Sequence, residues 1–191
     1  MSSSTPPVAA EDVETVGRQL GRTPRAVRAV AHRCPCGLPD VVETNPRLDD
    51  GTPFPTLYYL TCPRAAARLG RLEAEGVMRE MTARLAGDAG LAAAYAAAHA
   101  DYLARRDALD VLPTRMSAGG MPSRVKCLHA LAAHALAVGP GVNPLGDEAV
   151  ERAGAWWERG PCVDRPYQRD RYREDERCAS VPIDEPQEPG E

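Results

Sequence analysis

The spacing of apolar positions changes period several times along the chain. Glu11–Leu20 has the period of a short helix that stops at Gly21, and Arg25–Arg33 then alternates well enough for a strand. Cys34-Pro35-Cys36-Gly37-Leu38-Pro39 places two prolines and a glycine in six residues, which forbids a continuous helix or a central strand. Val41–Thr44 predicts a second short strand, Asp49–Pro53 a turn, and Thr56–Thr61 a third strand of strong β character. From Pro63, a residue suited to a helix start, Leu69, Leu72, Val77, Met78, Met81 and Leu85 fall at helical spacing and predict one amphipathic helix. After Gly87-Asp88 an alanine-rich helix is expected over 90–109, with Tyr95, His99, Tyr102 and Arg106 near one stripe. A loop over Val111–Met121 precedes a helix expected at Pro122–Val138, and a last helix is expected over Asp147–Arg159. The pattern predicts an α+β domain in which a small antiparallel three-stranded sheet is packed by about four to five helices.

Composition narrows this picture. A chain of 191 residues with 43% hydrophobic content suits one buried domain with tails, expected here as a disordered 1–10, a folded 11–159 and a disordered charged 160–191. The whole chain carries a formal charge of −4, and 160–191 accounts for it with nine acids and five arginines. The expected domain is therefore electrically balanced, which removes the broad footprint of a general nucleic-acid binder. No apolar run reaches the length of a membrane span, and Met1–Ala10 lacks the basic start and apolar stretch of a signal peptide, so a cytoplasmic location is expected. In that reducing setting the six cysteines are expected to be buried, metal-bound or reactive rather than a disulfide scaffold. Lys, Ile and Phe occur once each and Asn twice, as in a high-GC genome. Lys126, Phe54, Asn45 and Asn143 all lie in or beside the Cys/His segments, whereas Ile183 lies in the tail.

Three segments, 32–39, 54–63 and 119–147, carry the candidate chemistry. Cys34, Cys62 and Cys127, with either His129 or His134, are the thiolate and imidazole donors that zinc or an iron–sulfur cluster takes. Their scatter over about 100 residues is unlike a paired Cys-x-x-Cys knuckle. Cys127 and His134 are about 700° apart around a regular helix, on one stripe but roughly 10 Å apart along its axis. His129 points about 200° away from Cys127 and joins it only if the first helical turn is distorted. The competing readings are that these thiols are small buried hydrophobes, with the histidines satisfied inside the helix, or that one cysteine is redox-active or nucleophilic.

A second candidate is an anion site, where Gly119 and Gly120 precede an expected helix start and Arg124 and Lys126 follow it. Free amides and two cations there would suit a phosphate-bearing ligand, and the competing reading is an ordinary capped helix with solvated basic residues. Asn143, Pro144 and Gly146 read first as turn chemistry. Cys162 and Cys178 fall in the expected tail and make poor candidates for a preorganised site.

Arg33-Cys34-Pro35, Pro53–Pro63, Arg71–Gly76, Val125–Ala130, His134 and Asn143–Asp147 together closely resemble the bacterial family catalogued as "domain of unknown function 501". The resemblance covers about residues 13–158. It implies a cytosolic, mainly helical protein of high-GC Gram-positive bacteria, often encoded near a septum-formation initiator and an exopolyphosphatase, and no established activity. It implies weight on Cys34, Lys126, Cys127, His129, Asn143, Pro144 and Gly146. Cys36 departs from the family pattern, and Cys62 is replaced by His in some relatives, an exchange that a metal ligand tolerates. Two functions follow as expectations: a metal- or anion-binding enzyme with a Cys/His site and a Lys/Arg pocket, or a non-catalytic interaction or scaffold protein linked to envelope or division in which the same motifs only build the fold.

Overall fold

In the computed structural model, which describes residues 8–164, a three-stranded antiparallel sheet lies against six helices. The order is α1 (Ala10–Leu20), β1 (Val27–Arg33), β2 (Pro39–Thr44), β3 (Tyr58–Leu60), α2 (Pro63–Ala74), α3 (Val77–Gly87), α4 (Ala89–Asp107), α5 (Leu128–Val138) and α6 (Pro144–Ala153). Residues 1–7 and 165–191, with Cys178 and Ile183, lie outside the described residues. Of the tail expected over 160–191, residues 160–164 are described, and Cys162 there packs against the core instead of lying in a disordered tail. None of the described helices is long and apolar enough to cross a membrane.

The first half follows the apolar pattern. α1 ends on Gly21 in the left-handed region (φ 65°), where the chain turns without a Cβ penalty. The strands pair in the order β1-β2-β3, with Val42 opposite Tyr59 and Val41 opposite Leu60. β1 begins at Val27 rather than Arg25, and β3 is shorter than the expected Thr56–Thr61, with the Leu57 amide before it donated to the Tyr102 hydroxyl (2.6 Å).

Three helix expectations are corrected. The single helix expected from Pro63 to Leu85 is two, because Gly76 takes φ 91° and becomes the N-cap of α3. The last helix runs over 144–153 instead of 147–159. Asn143 Oδ1 accepts the Gly146 amide (3.0 Å) and starts α6 early, and Gly154 (φ 66°) ends it. The helix expected at Pro122 starts only at Leu128. The amides that would open an earlier helix have tertiary partners instead: Val125 N donates to Thr82 Oγ1 (3.0 Å), Lys126 N to the Gly119 carbonyl (2.6 Å) and Leu128 N to Glu73 Oε1 (2.7 Å).

α5 is the centre of the molecule. Leu128, Leu131 and His134 are fully buried, and the helix packs against β3, α2 and α6. Gly146 permits the α5–α6 approach, since a Cβ there would lie 2.4 Å from the Leu131 carbonyl oxygen.

Candidate functional site

The loop between α4 and α5 is held from below by the stripe that the sequence placed on α4. Arg106 is fully buried, and its guanidinium donates to the carbonyls of Thr114 (2.8 Å) and Met116 (2.7 Å). His99 Nδ1 pairs with Ser117 Oγ (2.8 Å), and the Tyr95 hydroxyl donates to the Arg124 carbonyl (3.2 Å). Gly119 and Gly120 turn the loop at φ 65° and 94°. A Cβ on Gly120 would lie 2.6 Å from the Arg124 carbonyl oxygen, so the tight turn requires glycine. The result is a cleft of about 330 Å³ lined by Ser117, Gly119, Gly120, Arg124, Lys126 and Cys127.

All four residues of the expected anion site thus line one cleft, although the reason given for it is corrected. Gly119 and Gly120 do not precede a helix start, and the first amide of α5 is already capped by Glu73. What the cleft offers an anion is side-chain charge. Arg124 and Lys126 are exposed and have no ion-pair partner among the described residues, unlike Arg84, Arg105 and Arg152, which are paired to carboxylates.

Cys127 forms the wall of the cleft on its α5 side. As the N-cap residue it is extended (φ −156°, ψ 113°) and lies before the helix, so the 200° that would separate it from His129 within a regular helix does not apply and the two side chains meet. One donor atom each from Glu73, Cys127 and His129 lies within 4.8 Å of the other two. His129 Nδ1 is 3.1 Å from Glu73 Oε1, and Nε2 is 3.0 Å from the Ala66 carbonyl oxygen. Both ring nitrogens therefore face acceptors, which favours the doubly protonated ring. Cys127 first and then Glu73 push the His129 pKa up to about 9, against the opposing effect of burial.

The expected metal set of Cys34, Cys62, Cys127, His129 and His134 does not come together as one cluster of donors among the described residues. Only Cys127 and His129 meet, and Glu73 joins them. Cys34 is buried beside Cys36, and burial pushes its pKa up to about 12. Cys62 is buried at the N-cap of α2 beside Cys162.

His134 is fully buried between Tyr58, stacked at 5.9 Å, and Tyr102, edge-on at 5.3 Å. Because Asn143 Oδ1 takes the Gly146 amide, Asn143 Nδ2 faces His134 Nδ1 (3.2 Å), and that nitrogen must accept. The proton then sits on Nε2 and is donated to Asp101 Oδ2 (3.1 Å). Burial holds the His134 pKa below its ordinary value, with Asp101 opposing, so the ring stays neutral. Asn143, Pro144 and Gly146 thus serve as N-cap, first helical residue and close-packing position of α6.

Sequence reasoning did not single out Glu73, Asp101 or Cys162. Nothing separates Glu73 and Asp101 from other helix-surface acids in the sequence, except that Glu73 lies within the Arg71–Gly76 motif.

The model of the family described as "Protein of unknown function (DUF501)" matches residues 30–151. The chain belongs to this family. The match contains every residue of the DUF501 protein's cleft together with Glu73 and His129, and it ends before Cys162. Neither a curated protein nor a solved structure matches the chain.

Proposed function

We propose that the protein is an enzyme in which Cys127 acts as a nucleophile on a small anionic substrate, phosphate- or carboxylate-bearing, held by Lys126 and Arg124. The supporting observation is their juxtaposition: two cations without an ion-pair partner among the described residues and a half-buried thiol line the same cleft. A cationic imidazole beside a thiol is the arrangement that activates a cysteine nucleophile. Here the ring is fixed on both nitrogens and cannot rotate away without losing two hydrogen bonds. His129 supplies a fixed positive charge, Glu73 orients the ring, and the charges of Lys126 and Arg124 select for an anion.

A phosphate titration followed by thermal melting tests the binding half of this reading. Wild-type protein is expected to melt higher with millimolar phosphate and Lys126→Ala to respond less. No shift in wild type, or an equal shift in Lys126→Ala, would count against it and favour a non-catalytic role.

The mutual approach of Glu73, Cys127 and His129 within 4.8 Å supports a second reading, a metal ion on these three donors. It is the weaker one, because a metal would have to displace the Nδ1 proton of a histidine whose pKa is pushed up to about 9. Elemental analysis of purified wild type beside Cys127→Ser separates the two. Stoichiometric metal in wild type, lost in the variant, selects the metal reading.

A further inference from the structure

A second thiol site lies where α1, the start of α2 and the segment after α6 meet. Cys62 is 2% exposed and belongs to the core, and Cys162, half-buried, packs against that core 100 residues later in the chain. The segment carrying Cys162 is fastened on both sides: Arg64 Nη1 donates to the Gly160 carbonyl (2.7 Å), and Arg18 Nη1 reaches the Asp164 carbonyl (3.4 Å). Between these anchors, the Gln19 side-chain amide donates to both the Pro39 carbonyl (2.7 Å) and Cys162 Sγ (3.3 Å). An amide proton aimed at a sulfur is suited to a thiolate.

We propose that Cys162 and Cys62 form a redox-active dithiol that a low-molecular-weight disulfide oxidises, with Cys162 the attacking sulfur and Cys62 the resolving one. The roles follow from access and from hydrogen bonding. Cys162 is the more exposed of the two, whereas Cys62 is sealed in the core. The Gln19 amide that reaches Cys162 also holds the Pro39 carbonyl, and the Thr61 amide, next to Cys62, donates to the Asp40 carbonyl (2.8 Å), so the two thiol-bearing segments meet at the same edge of β2. There Cys162 and burial raise the pKa of Cys62, whereas Cys62, Gln19 and the Arg64 charge lower that of Cys162.

In the first step the Cys162 thiolate attacks one sulfur of the small disulfide, the S–S bond breaks, and one small thiolate leaves and takes a proton from water. In the second, Cys62 attacks Cys162 Sγ, and its proton goes to the second small thiol as that leaves. The two protein thiols lose two electrons and the small disulfide gains them. The product ties the start of α2 to the segment following α6. This site shares no residue with the Cys127 cleft, so it stands or falls separately from the proposed function.

The test is oxidation of the full-length protein with glutathione disulfide, followed by alkylation of remaining thiols and peptide mass spectrometry. Wild type is expected to give a Cys62–Cys162 disulfide as the first product, and Cys127→Ser the same product at an unchanged rate. Cys62→Ser is expected to accumulate a glutathione adduct on Cys162, and Cys162→Ser to lose both the disulfide and any adduct at Cys62. Cys162 is partly exposed, so its serine variant tests the proposal even if the buried Cys62→Ser folds poorly. A first disulfide between Cys34 and Cys36, or between Cys162 and Cys178, would overturn the proposal, as would Cys162 reacting no faster than Cys36.

Discussion

His129 Nδ1 lies 3.1 Å from Glu73 Oε1, a contact between α5 and α2 across 56 residues of chain. The same oxygen accepts the Leu128 amide at 2.7 Å, so one carboxylate both caps α5 and fixes the ring beside Cys127. Helix start, ring orientation and cleft wall are thereby coupled to one side chain.

Glu73→Ala is therefore expected to destabilise the fold by about 1–3 kcal/mol, through an uncapped helix and an unpaired histidine donor. Glu73→Gln keeps a carbonyl oxygen for the Leu128 amide and is expected to lose less. Urea unfolding of the three proteins checks the ranking. Equal stability of Glu73→Ala and wild type would mean that the contact contributes nothing.

The raised His129 pKa makes a pH prediction. The folded ring holds its proton up to about 9, whereas the unfolded ring releases it near the ordinary value of 6.5. Its contribution to stability is fully present below about 6.5 and is lost as pH rises through about 9. Cys162, shifted downward, works in the opposite sense, since its folded thiolate adds stability as pH rises. The histidine effect is best read as the difference between Cys162→Ser and Cys162→Ser with His129→Gln. That difference should shrink between pH 6.5 and 9; if it is constant, His129 is not the cation described.

Asn143 joins two helices through one amide, capping α6 with its oxygen and donating to His134 with its nitrogen. Asn143→Ala should cost about 2–4 kcal/mol, the sum of a lost cap and an unsatisfied buried imidazole nitrogen. Asn143→Asp keeps the cap but sets an acceptor against an acceptor, so it should be rescued at low pH, where His134 takes a second proton. Thermal melts of both variants from pH 5 to 8 check this.

Gly146→Ala should destabilise by about 1–3 kcal/mol or more, because the new methyl meets the Leu131 carbonyl, which belongs to helix backbone and cannot swing aside. Chemical unfolding measures it directly. A neutral substitution would show that α5 and α6 can separate at little cost.

The first half of the fold was legible because local signals and tertiary structure agree there: Gly21 ends α1, the turn from Cys34 to Leu38 separates two strands, and Pro63 opens a helix. The second half was less so. Apolar period carries straight through Gly76, where a left-handed residue breaks the helix, and through 122–127, where backbone amides leave the helix for Thr82, Gly119 and Glu73. Thr82 and Glu73 lie tens of residues away and leave no local trace. The candidate site was half legible for the same reason. Cys127, Lys126, Arg124 and the glycines announce themselves by residue type, whereas Glu73 is one acid among many until α2 meets α5. Helix phase set His129 apart from Cys127 because the helix was expected to start at Pro122; with α5 starting at Leu128, Cys127 lies outside it and the phase argument does not apply.

The central claim, a cysteine nucleophile in an anion-selective cleft, is tested most directly by the alkylation of Cys127 with iodoacetate and with iodoacetamide, followed peptide by peptide by mass spectrometry. The ratio of the two rates cancels changes in thiolate content and reports on charge selection alone. In wild type the ratio at Cys127 is expected to exceed that at Cys36, and to fall about two- to fivefold in Lys126→Ala, as the loss of one exposed charge contact implies. His129→Gln should slow both reagents at Cys127 together. A ratio at Cys127 equal to that at Cys36 and unmoved by Lys126→Ala would contradict the account.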